Sequence, residues 1–388
     1  MMVMVAHEPN HPTRLGTRPP GPVPTASDRF IRPAPPFSLV TGATGLLGSH
    51  LAERLLMGGG RVRALVRPSS DTSQLSAWGV EIVEGDLTNP HDCRRAVEGV
   101  DVVFHAGAKV GDWGPWREFE SGVIQATANL AEAAAEARVG RFLHIGTTSA
   151  YGHPPAPRDG RPLDERAALY RRVWMLDHYT RAKFQAERIV WTVACDRGLP
   201  VTVLRPSWLY GERDRITFPR LIDRVASGRM RLVGRGDNIL SAIYAGNVAD
   251  AAILAATHPA ARGEVFNVTD QGLITQAEFF NLMARHLGAP EIRKRHNYHA
   301  VFAVAVVLEG SARLLGLRRP PLITRYAAWL LGRRLVYSSE KIKTLLRWNP
   351  PYDHETAMRR TIAWFQSHRQ VKGGAVAEAV VAASAPVA

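Results

Sequence analysis

Cysteine is nearly absent: Cys93 and Cys195 are the 2 in 388 residues. Two thiols cannot build a disulfide framework or a four-ligand zinc site, so no metal is expected and a reducing, cytoplasmic setting is. Acidic side chains are also short, 35 Asp and Glu against 49 Lys and Arg, a formal charge of +14. A surplus of that size raises nucleic acid or an anionic membrane as partners. It is unevenly spread, because residues 291–347 hold 12 Lys or Arg and only 3 acidic residues. No aromatic-interleaved basic motif or zinc finger accompanies them, which argues against nucleic acid. Membrane-spanning length is missing as well. The apolar run "AVFAVAVVL" at 300–308 falls short of the ~20 residues that cross a bilayer.

What remains is ample core material, 46% hydrophobic and 22% charged, enough for one large or two modest domains. The ends read differently. Residues 1–36 are Pro-rich without an apolar stretch of signal-peptide length, and residues 369–388 are Ala/Val-rich and of low complexity; both read as disordered tails. Between them, "FSLVTGATGLLGSHLAERLL" is a strand, a Gly-rich turn and a helix, and "GRVRALVR", "VEIVEGD" and "DVVFHAGA" are further strands separated by helical stretches. The alternation continues through "ATANLAEAAAEA", "RFLHIGTTSAYG" and "LPVTVLRPSWLYG". Apolar strands alternating with helices give crossover units and a parallel sheet covered on both faces. The expected architecture is a doubly wound α/β (Rossmann) domain over 37–206. A smaller substrate-binding domain follows over 207–368, partly interleaved with the sheet. Ligand belongs at the carboxyl ends of the strands.

Gly42, Gly45 and Gly48 form T-G-x-x-G-x-x-G after the first strand and at the start of a helix. Missing Cβ atoms allow a tight turn, close approach of backbone to a pyrophosphate and close helix–strand packing, while the helix N-terminus supplies N–H groups. Thr44, Leu46 and Leu47 belong to the same turn. The second strand ends Val66-Arg67, and no carboxylate follows until Asp71. An acidic side chain there would hold both ribose hydroxyls of NAD, whereas arginine suits a 2′-phosphate. The expected cofactor is NADP(H) in preference to NAD(H). In "LDHYTRAKFQAERIV", Tyr179 and Lys183 stand four apart on a helical pattern and so share one face.

With these residues, the chain resembles the extended short-chain dehydrogenase/reductase superfamily over about 37–368. "TGATGLLG", "GD" at 85–86, "HAGA" at 105–108, a Ser/Thr-rich strand end, Y-x-x-x-K and "RPSWLYG" at 205–211 occur in the family's order. "KVGDWGPW" at 109–116 and the stretch from "PPLITRYAAWLLG" onward resemble the 3β-hydroxysteroid dehydrogenase-like branch. That branch includes sterol-processing dehydrogenases and bacterial reductases of 2-alkyl-3-oxoalkanoates. The resemblance implies Tyr179 as catalytic acid/base, Lys183 as ribose ligand and phenolate support, and Thr147 as the third member, with Thr148 and Ser149 as lesser candidates. It implies Asp86 and Leu87 at the adenine edge, Ala106, Gly107 and Ala108 along the pyrophosphate and ribose, and Pro206 near the nicotinamide. Two positions depart from the family pattern. Val123 stands where an asparagine commonly links the lysine to solvent, and Arg67 replaces an acidic residue.

The expected function is hydride transfer between the nicotinamide and a carbonyl or secondary alcohol of a hydrophobic substrate, sterol-like or 3-oxoacyl-like. The alternatives are a nucleotide-sugar epimerase or dehydratase, which would use the same Tyr/Lys pair with retained cofactor, and a silent dinucleotide sensor. The apolar run 300–308, flanked by "RKRH" at 293–296 and "RR" at 318–319, suits peripheral attachment to the inner membrane surface. The competing uses are packing as a core helix or a homodimer contact.

Overall fold

The computed structural model describes residues 36–155, 160–334 and 336–383, with side chains to residue 368. Residues 1–35 of the Pro-rich stretch and 384–388 of the C-terminal one lie outside the described residues. Six strands, β1 (Ser38–Thr41), β2 (Val62–Val66), β3 (Glu81–Glu84), β4 (Val102–His105), β5 (Arg141–Ile145) and β6 (Val201–Pro206), join a seventh at Val265–Val268. All pairings are parallel, in the order β3-β2-β1-β4-β5-β6 and then Val265–Val268. The strand order reverses between β1 and β4, the place where a doubly wound sheet opens a crevice at its carboxyl edge.

Period-2 alternation divides the strand residues between two cores. Val40, Ala64, Phe104, Leu143 and Leu204 face one side, where they meet Leu47, Leu51 and Leu55 of the helix Leu46–Met57 and the alanines of Ala245–Thr257. Leu39, Leu65, Val103, Phe142 and Val203 face the other, covered by Cys93 and Ala96 of Pro90–Val97, Leu130 and Ala134 of Ala126–Glu136, and Val190 of His178–Arg197. Small residues on the covering helices let them lie close to the sheet.

The chain after Pro206 leaves the sheet and builds a second core from Tyr210, Phe218, Ile222, Phe279, Phe280, Met283, Met358 and Ile362. The helix Gln276–His286 opens with a capping box, Thr275 accepting from the Glu278 N–H and Glu278 reaching back to the Thr275 N–H. Two further helices, Tyr298–Leu314 and Arg325–Gly332, carry Phe302, Tyr326 and Trp329 towards Tyr151 and Trp174. The Tyr298–Leu314 helix is not a core helix: Ala305, Glu309 and Ala312 are buried, while Val304, Val306, Val307 and Leu314 are exposed. Among the described residues no helix is long and apolar enough to cross a membrane. The last helix runs His354–Ala383, so the backbone of residues 369–383 is helical and not a disordered tail. Alanine is the strongest helix former, and an established helix propagates through it readily.

Candidate active site

The glycine turn is held by backbone contacts that tolerate no side chain. Gly42 has φ +67°, and a Cβ on it would stand 2.9 Å from the Gly107 backbone. A Cβ on Gly48 would stand 2.1 Å from the Gly42 carbonyl oxygen. The following helix starts from Gly45 with no side-chain cap and no acidic residue in its first turn, leaving its N–H groups and positive dipole end for an anion. These features fit the pyrophosphate of a dinucleotide. Thr44 and Leu46 are half-buried at the turn, but the Leu47 side chain is in the core, so only its backbone can face a ligand.

Next to this turn, the strap Ala106–Ala108 is fixed by a buried polar chain. The Gly107 N–H donates to Thr41 Oγ1 (3.0 Å), Thr41 Oγ1 meets His105 Nδ1 (2.9 Å), and His105 Nε2 meets Thr127 Oγ1 (3.0 Å). The Thr127 proton goes to the Val123 carbonyl at 2.6 Å. His105 Nε2 must therefore be the donor and Nδ1 the acceptor, because burial pushes the ring's pKa down to about 3 and it is neutral. Asp86 is engaged by the N–H and hydroxyl of Thr88, both at 2.8 Å. Asn129 donates to the Leu87 carbonyl at 2.9 Å, and Leu87 packs beside Gly107. Arg67 is exposed at the end of β2, and Pro206 is buried at the end of β6.

Tyr179 and Lys183 lie one turn apart at the start of His178–Arg197, whose N-cap is Asp177 accepting from the Thr180 N–H at 2.9 Å. Thr147 follows β5 in an extended conformation and caps a short 3₁₀ turn by accepting from the Ser149 N–H at 3.1 Å. Burial pushes the Tyr179 phenol up to about 12, with the nearby Thr147 hydroxyl opposing the rise and the Asp177 and Asp112 charges adding to it. The Lys183 ammonium donates to the Ile145 carbonyl at 2.7 Å, and burial brings it down to about 8 against the opposing Glu187. Glu187 is itself paired with the buried Arg205, and Arg205 bonds the Tyr151 hydroxyl at 3.0 Å.

Thr147, Tyr179 and Lys183 are thus brought together at the carboxyl end of β5. Of the other two hydroxyls of that strand end, Thr148 is buried near Tyr337, while Ser149 accepts from Thr147 at 3.2 Å and meets the Tyr326 hydroxyl at 2.7 Å. Val123 is buried in a π-helical turn, Glu120–Gln125, and offers the site no polar side chain.

Sequence reasoning missed Tyr326, His153 and Asp112. The Tyr326 ring stands edge-on to Tyr179, centroids 6.3 Å apart. His153 bonds Asp177 at 2.7 Å, stacks on Trp174 at 3.7 Å and meets Trp329 edge-on at 4.5 Å. Asp112 receives the hydroxyl of Thr324, the N-cap of the helix carrying Tyr326. Only the N-cap threonine leaves a local trace in sequence; the pairings span up to 212 residues and have none.

The model of the NAD dependent epimerase/dehydratase family matches residues 38–269. The 2-alkyl-3-oxoalkanoate reductase of Stenotrophomonas maltophilia is 31% identical, over 83% of this chain and 97% of its own. The 3 beta-hydroxysteroid dehydrogenase/Delta 5-->4-isomerase of Mycobacterium tuberculosis is 30% identical, over 90% and 95%. The crystal structure of gox2253 is 30% identical with a TM-score of 0.72, over 86% of this chain and 98% of that one. With a Gly-rich turn, a Tyr/Lys pair and a doubly wound sheet in the corresponding order, the chain belongs to the NAD-dependent epimerase/dehydratase family, in the extended short-chain dehydrogenase/reductase superfamily.

Proposed function

We propose that the protein reduces a ketone of a hydrophobic substrate, sterol-like or 3-oxoacyl-like, with NADP(H) in preference to NAD(H). The observation that carries this is the convergence of three residues at the carboxyl end of β5: Thr147 just after the strand, Tyr179, and Lys183 one turn on, whose ammonium donates to the Ile145 carbonyl. Tyr179 is protonated at neutral pH because burial holds its pKa high, so it enters the reaction as a proton donor. The nicotinamide, when bound, supplies the hydride to the carbonyl carbon. Tyr179 gives its proton to the carbonyl oxygen, which Thr147 also holds, and the product is the secondary alcohol. Lys183 would hold the ribose and offset the phenolate left on Tyr179. Gly42, Thr44, Gly45, the backbone of Leu46, Leu47 and Gly48, Asp86, Leu87, Ala106–Ala108 and Pro206 would hold the remainder of the dinucleotide.

Two features support the 2′-phosphate. Arg67 extends into solvent at the end of β2. Asp71, the nearest carboxylate after it, is already held by the Ser73 N–H (3.1 Å) and hydroxyl (2.6 Å). The Tyr326 ring beside Tyr179, continued by the rings of Trp329, Trp174 and Phe302, favours an apolar substrate over a sugar diphosphate. Exposed Val304, Val307, Leu314, Leu315, Leu317 and Leu322, among the cations of 291–347, support docking on an anionic lipid surface, from which such a substrate would enter.

The test is consumption of NADPH by the purified protein with sterol ketones, 3-oxoalkanoates and nucleotide sugars. Consumption with a hydrophobic ketone is expected. Interconversion of nucleotide sugars without net cofactor oxidation would replace this reading with an epimerase.

A further inference from the structure

A cavity of about 410 Å³ opens beside the glycine turn. Thr44 of that turn forms one wall, and Asp71, Ser73 and Gln74, at the start of the short helix Ser73–Ala77, form a second. The last helix closes a third side. The remaining wall comes from far along the chain: Arg213 and Arg215, in the loop that follows the strand Trp208–Tyr210.

The surroundings hold this loop in place. Arg213 has φ +70°, a conformation that is strained for a residue with a side chain and persists only where its neighbours enforce it. It is 9% exposed, its Nη2 donates to Glu53 of the helix Leu46–Met57 at 2.7 Å, and its guanidinium lies 5.5 Å from the centre of the Trp78 ring. Its Nε is buried with no hydrogen-bond partner among the described residues. A buried guanidinium N–H without an acceptor is costly unless a ligand supplies one. Asp214, between the two arginines, accepts from the N–H groups of Ile216 (2.8 Å), Thr217 (3.2 Å) and Phe218 (3.1 Å). That ties the loop to the helix Phe218–Ala226 and fixes where both arginines leave the backbone. Arg215 is exposed, and among the described residues it makes no hydrogen bond or ion pair.

We infer that Arg213 and Arg215 hold the 2′-phosphate of NADP(H) in this cavity, as the second arm of a clamp whose first arm is Arg67. The inference rests on the NADP(H) reading. The cavity shares Thr44 with the turn that fits the pyrophosphate, and Asp71 on its wall lies four residues beyond Arg67. The adenosine end of the dinucleotide is therefore the part within reach. Guanidinium forks match phosphate oxygens in shape and charge, and the Thr44 hydroxyl adds a neutral donor. The carboxylates nearby are already engaged: Asp71 accepts from the N–H and hydroxyl of Ser73, and Glu53 accepts from Arg213. A ribose hydroxyl placed here would face two cations, whereas a phosphate would bring the acceptors that both lack. Since both arginines come from the chain after Pro206, the 2′-phosphate would also tie the substrate-binding half to the dinucleotide.

The experiment is titration calorimetry on the full chain, so it needs no turnover. The probes are NADPH, NADH, adenosine 2′,5′-bisphosphate, AMP and inorganic phosphate. Arg215→Ser should weaken NADPH and adenosine 2′,5′-bisphosphate by about 10-fold, the effect of one hydrogen bond to a charged group, and leave NADH and AMP unmoved. Arg215→Glu should weaken the same two further. Arg213→Lys keeps a cation for Glu53 but gives up the fork, and should lower those two affinities alone. Losses shared equally by NADH, NADPH affinity unmoved in Arg215→Glu, or tighter binding of inorganic phosphate than of adenosine 2′,5′-bisphosphate would each overturn the inference. Equal affinity of the unmodified protein for NADPH and NADH would overturn the NADP(H) reading and the clamp with it. A preference for NADPH that is lost in Arg215→Ser would support the clamp even if the protein reduced no ketone.

Discussion

Asp177 joins His153 to the helix that carries Tyr179: one carboxylate oxygen caps the helix through the Thr180 N–H at 2.9 Å, and the other bonds His153 Nε2 at 2.7 Å. Burial does most to keep the Tyr179 phenol protonated, and the charge of the same carboxylate adds to it. Asparagine caps helices as well as aspartate, so Asp177→Asn should keep the fold while removing the charge. The sign is fixed: without a nearby anion the phenolate is less disfavoured, and the Tyr179 limb of the rate profile should move to lower pH. A shift to higher pH would contradict this account of the pair.

Tyr179→Phe should retain dinucleotide binding and lose about 10²–10⁴ in kcat, the range for loss of a proton-transfer group. Lys183→Ala should weaken both binding and turnover. Thr147→Val should cost about 10²-fold, as for one oxyanion donor, and Thr147→Ser should be tolerated. Steady-state kinetics with binding titrations checks all three, and near-native turnover in Tyr179→Phe would remove the assignment.

Arg67→Asp should reverse the preference for NADP(H), since it deletes a phosphate partner and adds repulsion. Fluorescence titration of both cofactors against both proteins measures it. Equal affinity of the unmodified protein for the two cofactors would sink the idea.

Asp270 should make stability depend on pH. Its carboxylate accepts from the Tyr244 N–H (3.0 Å) and Asn247 Nδ2 (2.7 Å), yet burial still raises it to about 7. A folded-state pKa above the unfolded value of 3.8 means the native protein binds more protons across that window. The contribution of Asp270 to stability should therefore fall as pH rises from about 4 to about 7. Thermal unfolding should show the unmodified protein losing ground to Asp270→Asn as pH rises from about 4 to about 7. A Tm difference that does not change with pH would refute it.

Flotation with anionic liposomes tests the exposed apolar face of Tyr298–Leu314. Binding at low salt that weakens in Val307→Lys and Leu315→Lys is expected. Recovery of all the protein in the soluble fraction at low and high salt would leave a reductase that takes its substrate from solution.

The sheet, its glycine turn and the Tyr179/Lys183 helix were legible because each is encoded by local periodicity or by residues close in the chain. The partners of Ser149 and Asp112 were not, because Tyr326 and Thr324 lie 177 and 212 residues away and no short pattern registers such contacts. Segment 300–308 left its packing open for another reason. Its apolar residues surround the helix, and only the Ala305, Glu309 and Ala312 face meets the protein; composition alone does not say which face is covered. The helical backbone of 369–383 was hidden by low complexity, although its alanines carry the propensity.

The Val265–Val268 strand pairs with β6 and completes the sheet from a point more than fifty residues beyond it. A chain truncated after Pro206 would leave the whole length of β6 as an open edge, a template for aggregation. The two halves are therefore not exchangeable cassettes. Changes of substrate range in this scaffold have to arise by remodelling the excursions between Pro206 and Val265 and beyond Val268, with both ends of each excursion anchored in the sheet or against it. Chimeras that respect those anchor points should express, and those cut between β6 and Val265 should not.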